Sequence, residues 1–206
     1  MGWIRSDADK NELSVRAGVL AALVLALLMA GCAQSPQPQF GIFGSTHEHA
    51  DFKMYINGAA VNFSQERYQT PEPPGGDSNA CGNETTLAHL HGGDGNMVHK
   101  HATNVTWGYF FSTLNITMSD HCIRMDNGAS FCDQGMSHWR YFVNNSEVAG
   151  LKDAEIHDLE RVLLTYGSDA SAIPAQLASV TSEAAAADAL GYCGAPPMVN
   201  LTAPKP

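Results

Sequence analysis

Residues 51–63, DFKMYINGAAVNF, alternate apolar and polar side chains on both sides of an Asn-Gly pair. Alternate residues of a strand point to the same side, so the apolar side chains of each half share one face. Asn-Gly favours two-residue hairpin turns, and with that turn Met54 faces Val61 and Phe52 faces Phe63. The stretch therefore predicts a β-hairpin whose two strands bury the same face.

Further strands are predicted along the chain. Residues 87–91 and 97–101 flank a Gly-rich turn and predict a second hairpin. Residues 139–143 and 161–166 are rich in aromatic and β-branched side chains, which are typical of strands. Because most of the predicted strands belong to hairpins, we expect a mostly antiparallel sheet.

Two helices are predicted beside these strands. Thr106 is placed to cap a short helix with helical spacing of its apolar side chains: Trp107, Phe110, Phe111 and Leu114. Residues 172–192 predict a C-terminal helix, with Pro174 near its start and an alanine run at 184–187. The expected class is α+β, with one sheet face covered by helices.

The N-terminal residues are typical of an export segment. Residues 17–30 are almost wholly apolar, follow basic residues and are short for a bilayer span. Residues 28–32, LMAGC, resemble a lipobox, in which Cys32 would receive the lipid. Residues 1–32 are therefore expected to be a signal peptide with a lipobox, or an uncleaved membrane anchor. In both cases the membrane is a partner and the rest of the chain lies on its outer face.

Length and charge restrict the organisation and function of the remaining residues. The chain has 206 residues and a formal net charge of -10, without a basic cluster, which argues against nucleic-acid binding. We expect a linker at 33–39, a single extracytoplasmic domain at 40–193 and a disordered tail at 194–206. The sequence predicts no particular protein partner.

Cysteine usage agrees with an exported protein. With Cys32 set aside, an even number of cysteines is left for disulfides. Cys122 and Cys132 flank a predicted Asn-Gly hairpin turn that would bring them together. Cys81 and Cys193 then pair by elimination, and buried free thiols are the alternative. Asn-x-Ser/Thr triplets that suit a glycosylated surface begin at Asn62, Asn83, Asn104, Asn115, Asn144 and Asn200.

Two resemblances bear on the domain. Residues 139–145, WRYFVNN, with the strand at 162–166, resemble a segment of β-grasp-like domains related to the transcobalamin C-terminal domain. Asn145 stands where that family has Gly, and the ligand of that family is not carried over. Residues 47–58 with the later histidines resemble uncharacterised His-rich, membrane-anchored envelope proteins of archaea and some bacteria. This second family has no established activity to transfer.

Six of the nine histidines fall into His-x-His pairs: His47 and His49, His89 and His91, His99 and His101. In a strand, residues two apart point to one side, so each pair can direct two imidazoles at one ion. His47 and His49 share with Asp51 the side of the strand opposite to the core, where we expect them to stay accessible. Asp51 is therefore a candidate ligand, or a residue that orients a ring.

The second hairpin is expected to bring the other four histidines together. A turn at 92–96 places His89 opposite His99, with His91 and His101 diagonal to them on one face. Met97 would share this face, and Asp94 could reach its edge. Imidazole nitrogens suit copper and zinc, so a copper or zinc ion is the expected cofactor, in one site or two.

Other functions stay open at this point. Hydrolase and phosphate-binding motifs are missing from the sequence, and no catalytic or organic-cofactor-binding residue is predicted. The alternatives to a metal carrier, buffer or sensor are a metal-dependent envelope enzyme, an accessory to thiol-disulfide chemistry, and a structural glycosylated module. A solvated or pH-sensitive histidine face is the simplest alternative. The isolated His121, His138 and His157 are expected to have ordinary roles.

Overall fold

The computed structural model describes residues 39–71 and 86–190, and those from Phe40 onward belong to one compact unit. Several predictions lie outside the described residues: the export segment with Cys32, the linker up to residue 38, the Cys81–Cys193 disulfide and the tail at 194–206. The α+β class and the mostly antiparallel sheet are confirmed.

The main sheet is built from seven strands in the described part of the chain. These are β1 (Glu48–Ile56), β2 (Ala59–Ala60), β3 (Ala88–His89), β4 (Met97–Lys100), β8 (His138–Val143), β9 (Ser146–Val148) and β10 (Arg161–Gly167). The order is β3-β4-β1-β10-β8-β9, and β2 pairs with the end of β1. Only the central β1–β10 pair is parallel among these.

The hairpin predicted at 51–63 forms around Asn57 and Gly58, both with positive φ as its two-residue turn requires. The Val61 amide donates to the Met54 carbonyl at 2.8 Å. The Phe52 and Phe63 rings lie 5.3 Å apart between centroids. Regular pairing is shorter than expected, since β2 is only Ala59–Ala60.

A helix covers the side of the sheet that carries Phe52. This helix, α1 (Trp107–Thr113), begins as predicted, because the Thr106 side chain accepts a hydrogen bond from the Tyr109 amide at 3.2 Å. Its apolar side packs on the sheet, and the Phe110 ring lies 5.2 Å from that of Phe52. Trp107, Phe110 and Phe111 are fully buried there, which makes this face the main core.

A second, smaller sheet adjoins this core and carries a disulfide. It has the order β5 (Thr117–Ser119), β6 (Cys122–Arg124) and β7 (Ser130–Cys132), all antiparallel. Cys122 and Cys132 lie directly opposite each other and form a disulfide, as predicted from the Asn-Gly turn between them. The Trp139 indole donates to the Phe131 carbonyl at 2.7 Å, which ties this sheet to β8.

The opposite face of the main sheet is also covered by helices, so the expectation of a single covered face was wrong. The prediction of a single helix at 172–192 was wrong as well, because the structure has two helices there, α2 (Ile173–Ser179) and α3 (Glu183–Leu190). Val180 is extended between them, as β-branched residues favour. The Arg161 guanidinium donates to the carbonyls of Val180 and Thr181 and stabilises the break.

Candidate metal centre

Three neighbouring strands align one histidine each across the sheet. In the β3–β4 pair His89 lies opposite His99, as the hairpin predicted, and in the β4–β1 pair His99 lies opposite His49. The centroids of the His49 and His99 rings are 4.7 Å apart, and those of His89 and His99 are 5.5 Å apart. Register therefore places this row on the face that also meets α3, away from the main core.

The other three paired histidines complete a continuous group. The ring centroids of His91 and His99 are 4.0 Å apart, those of His47 and His101 4.7 Å, and those of His89 and His101 5.0 Å. We call these six residues the histidine cluster: His47, His49, His89, His91, His99 and His101. All six predicted ligands on the two hairpins thus contact one another through their rings.

The histidine cluster is far less accessible than expected. His49, His89, His99 and His101 expose 3 % or less of their surface, and only His47 and His91 are half-buried. The alternation of side chains along the strand predicted the correct face of β1 for these histidines. It could not show that α3 packs on that face. The Phe43 ring, which the sequence analysis did not consider, also stacks on His101 at 5.1 Å between centroids.

Within the cluster, His47, His49 and His99 bring nitrogens closest together. One ring nitrogen from each lies within 4.8 Å of the others. The Nε2 atoms of His47 and His49 are 3.0 Å apart. Two nitrogens that bind one ion at about 2.0 to 2.1 Å stand roughly 2.8 to 3.4 Å apart, from right-angled to tetrahedral geometry. The observed separation falls in that interval.

The neutral form of the imidazole is favoured at two residues of this group, His47 and His99. Burial, followed by the neighbouring His101 and His49, lowers the pKa of His47 to about 4. Burial and the nearby His91 hold the pKa of His99 far below its usual range. At neutral pH both rings therefore keep a nitrogen lone pair, the form in which histidine binds metals. The buried Nδ1 of His99 has no hydrogen-bond partner among the described residues.

His49 has carboxylates on its other side that the sequence analysis did not identify. Its Nδ1 is hydrogen-bonded to the Asp188 carboxylate of α3, and its backbone amide donates to Asp158 Oδ1 at 3.1 Å. Burial and the charge of Asp188 raise the pKa of Asp158. Asp188 is an acidic residue on a predicted helix, and nothing in the sequence relates it to a strand 139 residues away.

Asp51 lies on the same side of β1 as His49, as predicted, but its carboxylate contacts α3. It is 1 % exposed, and its carboxylate accepts hydrogen bonds from the start of α3: the Thr181 hydroxyl, the Glu183 amide at 2.8 Å and the Ala184 amide at 3.1 Å. A carboxylate that accepts helix amides is an N-terminal cap. The structure thus gives Asp51 a role in docking α3, and its suggested role as a ligand stays a prediction.

The remaining candidate residues have local roles. Asp94 Oδ1 accepts from the Asn96 amide at 2.7 Å within its turn. Met97 of β4 is half-buried and lies opposite Asp51 of β1. His121 Nδ1 lies 3.0 Å from Asp133 Oδ2 and its side chain is 81 % exposed, which suits the ordinary role predicted for it.

Comparison with protein-family models, with curated proteins and with solved structures finds no match to this chain. None of the helices within residues 39–71 and 86–190 is sufficiently long and apolar to span a membrane.

Proposed function

We propose that this protein is a transition-metal-binding envelope protein that carries, buffers or senses copper or zinc. The observation that carries the proposal is the histidine cluster, a continuous group of imidazoles centred on His47, His49 and His99. Imidazole is a borderline ligand that suits zinc and copper, whereas calcium and magnesium require oxygen ligands. The donor set therefore supports a transition metal.

The energetics of burial support the same function. A polar nitrogen removed from water without a partner costs free energy, and His99 Nδ1 is such a nitrogen within the described part of the chain. Because burial lowers the pKa of His47 and His99, these two rings are neutral at pH 7, and an ion does not have to displace protons from charged imidazoles there. The Nε2 atoms of His47 and His49, 3.0 Å apart, are close enough to bind one ion together.

The proposed location is the outer face of a membrane, with Cys32 as the lipidated residue or residues 1–32 as an uncleaved anchor. The Cys122–Cys132 disulfide supports this, because disulfides persist in oxidising compartments. Mass spectrometry of the N-terminal peptide from the native membrane fraction tests it. We expect a diacylated Cys32, or an intact residue 1–32 segment in the membrane fraction. A soluble protein cleaved elsewhere would refute the anchoring proposal.

Metal content tests the proposed activity. The full chain, purified in detergent without added chelator, should contain copper or zinc at about one equivalent per chain by elemental analysis. Changing His49 and His99 to Ala should weaken binding by at least roughly 100-fold, since loss of mere partners of ligands already costs 10 to 100-fold.

The matched control changes His121 and His157, which lie outside the histidine cluster, to Ala. This double variant removes two imidazoles from exposed positions and should keep wild-type metal content. An equal loss in both double variants, or a wild-type protein that binds neither metal in titration calorimetry, would refute the proposal.

A further inference from the structure

His49 is contacted on both ring nitrogens, by chemically different partners. Its Nδ1 meets the Asp188 carboxylate, and its Nε2 lies 3.0 Å from Nε2 of His47. A neutral imidazole carries one proton, and a carboxylate is only an acceptor. The proton therefore sits on Nδ1, and the lone pair of Nε2 points to Nε2 of His47.

Asp188 is held in this place by the way α3 docks on β1. The helix has two attachment points on the strand, at Asp51 for its first amides and at His49 for Asp188. The two strand residues are about 6.6 Å apart at the usual rise per strand residue. Ala184 and Asp188 are about 6 Å apart along the helix. Because these spacings match, α3 lies along β1 in the opposite direction, and capping by Asp51 sets the position of Asp188.

From these contacts we infer that Asp188 is the positioning residue of the metal centre: its carboxylate holds His49 in the Nδ1-protonated tautomer, with Nε2 directed at the ion. This inference rests on the proposed metal-binding function. Carboxylates that accept from the second nitrogen of a metal-binding histidine fix the ring's orientation and raise its basicity. The third helix thereby becomes part of the metal centre while remaining outside the ligand set.

Asp158 provides the matched control. It is a second carboxylate beside the same histidine, but it accepts from the His49 backbone amide, not from the ring, and its side chain is also hydrogen-bonded to Asp188. Asp158→Asn keeps an acceptor for that amide and removes the charge. Asp188→Ala removes the ring's partner and does not weaken the helix, since Ala is the best helix former. Asp188→Glu restores a carboxylate at the same position.

Two measurements on the full chain test the inference. Zinc affinity by competition with a chromogenic chelator should fall about 10 to 100-fold in Asp188→Ala. Asp158→Asn should change it by less than about fivefold, because a part-exposed charge contributes little. Asp188→Glu should recover most of the affinity. In metal-free protein, ¹⁵N NMR should show the His49 proton on Nδ1 in the wild type and a mixture of tautomers in Asp188→Ala.

Unchanged zinc affinity in Asp188→Ala would overturn the inference and leave the proposed function intact. An equal loss in Asp158→Asn would also overturn it, because the two carboxylates would then act as ligands or through charge alone. A wild-type protein without metal affinity would refute the proposed function instead. The NMR measurement still decides the tautomer in that case, and a wild-type ring protonated on Nε2 would contradict the positioning role.

Discussion

Buried polar side chains in this protein are accommodated in two ways. Lys100 is 1 % exposed and is accommodated by hydrogen bonds, because its Nζ donates to Glu48 and Glu155 at 2.8 Å each and to the Ile156 carbonyl at 2.6 Å. His47 and His99 are accommodated by neutrality, since burial lowers the pKa of both rings. Lys100 and His99 are neighbours on β4 and thus face opposite sides of the sheet. Hydrogen bonds to carboxylates stabilise Lys100, whereas His99 is stabilised in its neutral form.

The low pKa of His47 predicts that the metal-free protein loses stability in mild acid. Its pKa is about 4 in the folded state, against about 6.5 when unfolded. Between these values the unfolded state binds more protons, so this contribution is present above pH 6.5 and lost as the pH falls through 4. Allowing for solvent screening of a half-buried ring, we expect a loss on the order of 1 to 2 kcal/mol.

Urea unfolding from pH 7.5 to 4, with chelator present, measures this loss. His47→Gln should flatten the decline over this interval, whereas His121→Gln at an exposed position should leave it unchanged. An identical decline in both variants would show that His47 does not cause it.

At the scale of elements, the decisive contact is the docking of α3 on β1. The alanine run predicted helix correctly, but the helix begins at Glu183 because the Asp51 carboxylate accepts its first amides. Helix propensity is a property of the local sequence, whereas this cap comes from a strand more than one hundred residues earlier. The sequence could therefore predict that a helix forms here. It could not predict the residue at which the helix begins or the face of the sheet that the helix covers.

Asp51→Ala is expected to loosen α3 selectively. Losing an N-terminal cap costs about 0.5 to 2 kcal/mol, and here the freed amides lie at a buried interface. Hydrogen exchange followed by mass spectrometry should show faster exchange in residues 184–190, with β8 and β10 unchanged. Asp51→Asn, which keeps an acceptor, should give a smaller change. Uniform acceleration across the sheet would mean that Asp51 stabilises the whole fold, not the helix alone.

At the scale of the whole molecule, the candidate centre joins segments that are distant in the chain. His47 and His49 lie at the start of β1, and His99 belongs to β4 of the second hairpin. An ion bound by all three crosslinks these elements in the folded state only, since the unfolded chain does not hold them together. Metal binding should therefore stabilise the entire domain.

We expect zinc at 100 times its dissociation constant to stabilise the fold by about 2.7 kcal/mol, and chelation to reverse the effect. Thermal unfolding of the full chain with and without zinc measures it. The His49→Ala, His99→Ala double variant should show no zinc-dependent shift, and the His121→Ala, His157→Ala control should shift as the wild type does. A shift in the first variant equal to that of the wild type would place the ion elsewhere.

What the sequence alone determined about this protein is local. Alternation and Asn-Gly turns predicted the hairpin at Phe52 and the cross-strand position of Cys122 and Cys132, and a Gly-rich turn predicted His89 opposite His99. In each case a short turn sets the register, so the partners are specified by a few neighbouring residues. The Thr106 cap and the apolar side of α1 were predictable for the same reason.

Only the tertiary structure decided which of these local units meet. It placed His49 beside His99 through the β1–β4 pairing, made β1 and β10 parallel, and brought Asp188 to a histidine 139 residues away. Such contacts depend on the free energy of burying large faces against each other, and that free energy is spread over many residues. The histidine pairs are therefore recognisable in the sequence, whereas their burial, the neutrality of His47 and His99 and the carboxylate partner of His49 arise only when the sheet and α3 assemble.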